Sequence, residues 1–131
     1  MKKEEAHRFK HQILASPYLV ADLEGVENQE IFFSKLDKRL SGEKLFAKIQ
    51  LVMKCLSDEI DSSTSDCRSV SFFVLTKRAD KMSDYEARAT TVIDAIQSFF
   101  LQYHQTGIES VHLVADNQLL RNIFSNRVSK H

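Results

Sequence analysis

The stretch from Ile31 to Lys77 limits most sharply what this chain can fold into, because its apolar residues carry the period of a strand. Leu45, Ala47, Ile49, Leu51, Met53 and Cys55 fall on alternate positions, with Lys48, Gln50 and Lys54 among the residues between them. A period of two puts such a set on one face of a sheet. A second apolar run, Val70-Ser71-Phe72-Phe73-Val74-Leu75, follows a polar segment and is rich in β-branched and aromatic residues. The two runs predict a small antiparallel sheet with one covered face. The same residues admit a helix, since Leu45, Ile49, Val52, Met53, Leu56 and Ile60 also form a helical stripe that Ser41 could cap. Period alone does not separate the two. The unbroken alternation favours a strand over 45–56, with Ser57 to Arg68, rich in Ser and Asp, as a long hairpin loop.

Around this centre the other elements follow from local signals. Ala6, Phe9 and Ile13 share a face and predict a short helix over 2–15, stopped at Pro17. Tyr18-Leu19-Val20-Ala21 reads as a short extended piece, and Gly25 with Glu27-Asn28-Gln29-Glu30 as a turn or loop. Ile31 to Arg39 reads as a strand and Leu40 to Lys44 as its turn. Ser83 and Glu86 have the spacing of a capping box. Tyr85, Ala89, Val92, Ile96, Phe99 and Tyr103 then repeat at helical spacing, and Gly107 is the expected stop. Ile108 to Ala115 reads as a strand, and 119–128 as a final strand or a short helix carrying Leu120, Ile123 and Phe124. The expected fold is a single α+β domain over 1–131, with an antiparallel or mixed sheet of about four strands packed by one long and one short helix.

Composition narrows the function classes. A chain of 131 residues with 43% hydrophobic and 27% charged residues can build one core without a covalent staple. Its 18 basic and 18 acidic residues cancel, which argues against bulk electrostatic capture of nucleic acid or an anionic membrane. Low net charge also makes self-association easy. Cys55 and Cys67 form no CxxC and read as free thiols in a reducing compartment. The residues from Met1 to Arg8 lack the apolar core of a signal peptide, and no window approaches a membrane span, so the expected location is cytoplasmic.

Each chemistry-bearing group has a plainer structural account. His7 and His11 lie four apart, but no further ligand is placed to complete a metal site, and two exposed helix histidines suffice. Asp58, Glu59, Asp61 and Asp66 lack the spacing and glycine of a calcium loop. Asp80, Asp84 and Glu86 suit the positive end of the long helix. His112 alternates with Val111 and Leu113 and so points away from the expected core, as a surface or interface residue. Lys77 and Arg78 end a strand, and Arg121, Arg127, Lys130 and His131 make a basic tail that can touch phosphate without specifying a sequence. The adjacent pairs Phe32-Phe33 and Phe99-Phe100 cannot both be buried on one face of one element, so another layer or a partner must cover one of each. Only three glycines occur, and neither a phosphate loop nor a nucleophile elbow is present. No catalytic, cofactor or metal residue is assigned.

The run Val70 to Lys77, the amphipathic helix from Ser83 to Tyr103, and Ser110-Val-His-Leu-Val-Ala resemble the small neck and tail-terminator proteins of tailed bacteriophages and their prophage relatives. The likeness covers about the second half of the chain, and its motifs are generic. It implies a non-enzymatic, ring-forming structural subunit, with the segment 57–68 projecting to a neighbour or into a lumen. The alternatives are a monomeric adaptor that binds one protein partner, and a small enzyme or nucleic-acid-processing protein with a cleft gathering His112, Asp116 and Arg121.

Overall fold

In the computed structural model residues 12–15, 32–62, 68–77 and 80–128 are described. Among the described residues seven elements follow in the order β1 (Gln12–Ala15), β2 (Phe32–Leu36), α1 (Gly42–Ser62), β3 (Ser69–Val74), α2 (Met82–Gln102), β4 (Ser110–Ala115) and α3 (Gln118–Val128). The four strands form one sheet in the order β1-β4-β3-β2, and every neighbouring pair is parallel. This corrects the expected antiparallel or mixed sheet, and among the described residues three helices stand where two were expected. The physical reason lies between the strands. Parallel neighbours need a crossover of a dozen or more residues, and both 37–68 and 75–109 contain a full helix.

The largest local correction is α1. Residues 45–56 are helical, not a strand, and the supposed hairpin loop is helical as far as Ser62. Leu45, Ile49, Met53 and Ile60 are buried along one stripe, whereas Ala47, Leu51 and Cys55 face solvent, with Leu51 59% exposed. Half of the apparent alternation is therefore a chance set of apolar residues on the outer face. Gly42 opens the helix at φ +55°, a conformation that costs an L side chain about 1–2 kcal/mol. The Leu45 N–H then donates to the Ser41 carbonyl at 3.3 Å.

The helix over 83–103 is observed as α2, with its start shifted. The Lys81 N–H donates to the Asp84 carboxylate at 2.8 Å, so Asp84 closes the first turn rather than the Ser83 and Glu86 pair. The helix ends at Gln102, ahead of Gly107. The last segment resolves as α3, capped by Asn117, whose Oδ1 accepts from the Leu119 N–H at 2.8 Å and the Leu120 N–H at 3.3 Å. Residues 12–15, the end of the expected first helix, are strand β1. The rest of that helix, the segment 18–30, Cys67 and the tail after Val128 lie outside the described residues.

All three helices contribute to one apolar layer against Val70, Phe72 and Val74 of β3 and Val111, Leu113 and Ala115 of β4. The second face of the sheet is also buried at Ser71 (1% exposed), Phe73 and Val114. Burial on both faces is characteristic of parallel sheets and explains the near-continuous apolar run of β3. Among the described residues no helix is long and apolar enough to cross a membrane.

Candidate functional site

In a parallel sheet all carboxyl ends lie along one edge, so the residues that follow each strand gather there. Asp37 to Leu40 follow β2, Leu75 to Lys77 follow β3, and Asp116 and Asn117 follow β4. Ligands of open α/β sheets settle at this edge, because loops and helix N-termini leave polar groups there. Among the described residues two cavities open along it. One, of about 530 Å³, is lined by Lys38, Thr76, Lys77, Tyr85, Asp116 and Asn117. The other, of about 290 Å³, is lined by residues that include Lys38, Ser41, Gly42, Lys77, Asp80, Asp84 and Arg88.

The lining is held by short-range bonds. Asp116 accepts from the Thr76 hydroxyl at 2.9 Å and from the Thr76 N–H at 3.3 Å, tying the ends of β3 and β4 together. The Asn117 amide donates to the Tyr85 hydroxyl at 3.2 Å while its oxygen caps α3. The Lys77 N–H donates to the Asp80 carboxylate at 2.8 Å. Asp37 accepts from the Arg39 N–H at 2.7 Å, and that bond, with the Arg39 side chain, holds its carboxyl below the usual range.

Beneath this turn lies Arg88, only 8% exposed. Its guanidinium donates to the Asp37 carbonyl at 2.8 Å and also to the Leu40 carbonyl, bracketing Lys38 and Arg39. Its Nε is buried without a hydrogen-bond partner. Burial lowers the Arg88 pKa from its ordinary value, against the opposing pull of Asp80, Asp116 and Asp37. An arginine remains charged even so. Lys38 and Lys77 stand exposed above it, and neither makes an ion pair among the described residues.

The residues singled out in the sequence are scattered. Phe99 and Phe100 are both buried and meet edge to face, with ring centroids 6.2 Å apart. The covering layer comes from the chain itself, since α2 packs against both α1 and α3. The β2 backbone pairs Phe32 with Val70 and Phe33 with Ser71; the side chains of these two phenylalanines lie outside the described residues. His112 is half-buried beside Ser71 on the sheet face away from the helices, and burial lowers its pKa from 6.5. Arg127 Nη1 donates to the Thr90 hydroxyl at 2.5 Å, which fastens α3 to α2. Arg121 has a buried Nε with no hydrogen-bond partner.

Among the described residues no hydrogen bond joins His112, Asp116 and Arg121, and no group of His, Cys, Asp and Glu suits a metal ion. His7, His11, Lys130 and His131 lie outside the described residues. Of the edge residues, the sequence reading marked Lys77, Asp80, Asp84 and Asp116, took Tyr85 only for the apolar stripe of its helix, and missed Lys38, Thr76, Arg88 and Asn117. Their shared signal is position just after a strand or on the helix facing it, which has meaning only once the strands are known to be parallel. No protein-family model matches the chain, and no curated protein matches it.

Proposed function

We propose that the chain is a non-catalytic binding domain that takes a small, polar, anion-bearing ligand at the carboxyl edge of its sheet. One observation carries the reading. Groups from the ends of three neighbouring strands converge on one cavity, and two of them, Lys38 and Lys77, are cations with no ion pair among the described residues. Lysine suits phosphate as a mobile point charge, and Asp116, Asn117 and the Tyr85 hydroxyl suit the hydroxyl or amino groups of the same ligand. An exposed free Cys55 accords with a reducing, cytoplasmic setting.

Thermal unfolding with phosphorylated and unphosphorylated small molecules tests this. A ligand of the folded state raises the Tm with concentration. The expected result is a rise with inorganic phosphate or a phosphorylated nucleoside or sugar, absent in the double variant Lys38→Ala/Lys77→Ala. No rise with any phosphorylated compound, or an equal rise in the double variant, overturns the reading.

The self-associating structural subunit suggested by the sequence is the second reading. It is favoured by one feature: among the described residues β1 and β2 are hydrogen-bonded on one side only. Such edges can pair with another chain. Light scattering across a wide concentration range decides it, with a closed oligomer expected and a constant monomer mass removing it.

A further inference from the structure

The two cavities at the carboxyl edge share Lys38 and Lys77. From this we infer that the ligand is two-armed, with a phosphoryl bridge at the two lysines and a hydroxyl-bearing arm in each cavity, as in a nucleoside diphosphate sugar. The inference rests on the binding reading above and deepens it.

Charge pattern is the first support. The shared lining is cationic, whereas the outer lining carries carboxylates: Asp80 and Asp84 on one side, beside a buried Arg88 whose guanidinium is engaged by the Asp37 and Leu40 carbonyls, and Asp116 on the other. Carboxylates repel a phosphate that enters either arm and leave the lysines as its favourable position. They also accept hydroxyls. Each already takes a protein donor, Asp80 from the Lys77 N–H, Asp84 from the Lys81 N–H and Asp116 from Thr76, and so is fixed in place. A carboxylate has lone pairs left for a ligand hydroxyl after such a bond.

Rigidity of the centre is the second support. Lys38 sits in a turn closed by the Leu40 N–H on the Asp37 carbonyl at 3.1 Å and held from below by Arg88. The Lys77 backbone is held at both ends by Asp80, whose N–H donates to its carbonyl at 3.2 Å and whose carboxylate accepts from its N–H at 2.8 Å. Both lysine backbones are thus fixed before a ligand arrives, which reduces the ordering cost of binding. Size is the third. Cavities of about 290 and 530 Å³ each fall at or within the range that holds a small ligand, so each has room for one arm.

Calorimetry with ADP-ribose and UDP-glucose, beside AMP, ribose 5-phosphate, glucose 1-phosphate and inorganic pyrophosphate, tests the inference. Joining two arms through one bridge raises affinity by a factor on the order of 100 over either half. The expected result is that gain for at least one two-armed compound, its loss in Asp116→Asn, and loss of all binding in Lys38→Ala/Lys77→Ala. If the halves or pyrophosphate bind as tightly as both two-armed compounds, the two-armed ligand is overturned while the binding domain stands. If none of the six compounds binds, the binding reading fails with it. Circular dichroism of each variant separates a folding defect from a binding defect, and Asp116→Asn keeps an acceptor for Thr76.

Discussion

The Gly107 N–H donates to the Asp61 carboxylate at 3.0 Å, and the glycine lies so close that a methyl group on its Cα would overlap that same oxygen. The contact joins the last turn of α1 to the segment that leads from α2 into β4. Ile60 and Arg68 stand 3.2 Å from the same point, so a displaced Asp61 finds little room nearby. Gly107→Ala is expected to cost about 1–2 kcal/mol, from the lost hydrogen bond and the shift of its neighbours. Asp61→Ala removes the bond and opens the space. In a double-mutant cycle read by urea unfolding, the combined variant should lose less than the two single losses added. Simple additivity would mean that the two residues do not meet.

Gly42 tests conformation without crowding. Its φ of +55° is strained for any L side chain, yet a Cβ there meets nothing within 4 Å. Gly42→Ala should therefore cost about 1 kcal/mol through the backbone alone, and Gly42→Asn less, since asparagine tolerates the left-handed region. Equal costs for the two, measured by chemical denaturation, would contradict this account.

Arg88→Met leaves the Asp37 and Leu40 carbonyls without their shared donor. A loss of about 2–4 kcal/mol is expected, because a buried network loses its only charged member. Arg88→Lys should recover little, since one ammonium cannot reproduce a fork that reaches two carbonyls. A lysine variant as stable as the parent would show that the charge matters and the fork does not.

Burial lowers the His112 pKa below 6.5, so the folded chain holds this proton less readily than the unfolded chain. Below about pH 6.5 the unfolded state binds a proton that the folded state resists, and stability falls with pH until the folded-state value is passed. The contribution of neutral His112 is complete above that window. Unfolding midpoints compared between about pH 7.5 and 5.5, above the range where carboxylates titrate, should fall on acidification and fall less in His112→Gln. An identical fall in the variant would assign the effect to another group.

The elements legible in the sequence were those with a single signal. Val70 to Val74 had the β-branched and aromatic residues of a strand, and the repeat that begins at Tyr85 had the spacing of a helix, which ends one residue before Tyr103. Residues 45–56 failed because Ala47, Leu51 and Cys55 are apolar without being buried, which gives a helix the appearance of alternation. The direction of the strands was open to inference from two facts. The segment between β2 and β3 is too long for a hairpin, and β3 carries Phe73 on the face opposite Val70, Phe72 and Val74, as suits a strand buried on both sides. The candidate site was less legible. Lys38, Thr76 and Asn117 lie far apart along the chain, and only parallel strands carry them to one edge.

The strand order also sets a timetable. Gln12 pairs with Ser110, so β1 emerges early in synthesis and finds its neighbour only after β4 has been made. By contrast β2 lies beside β3 and β3 beside β4, each the next strand in sequence. Closing so long a loop is entropically costly and slows folding. The segment from β2 to β4 can therefore fold first, with β1 docking last onto an edge already formed.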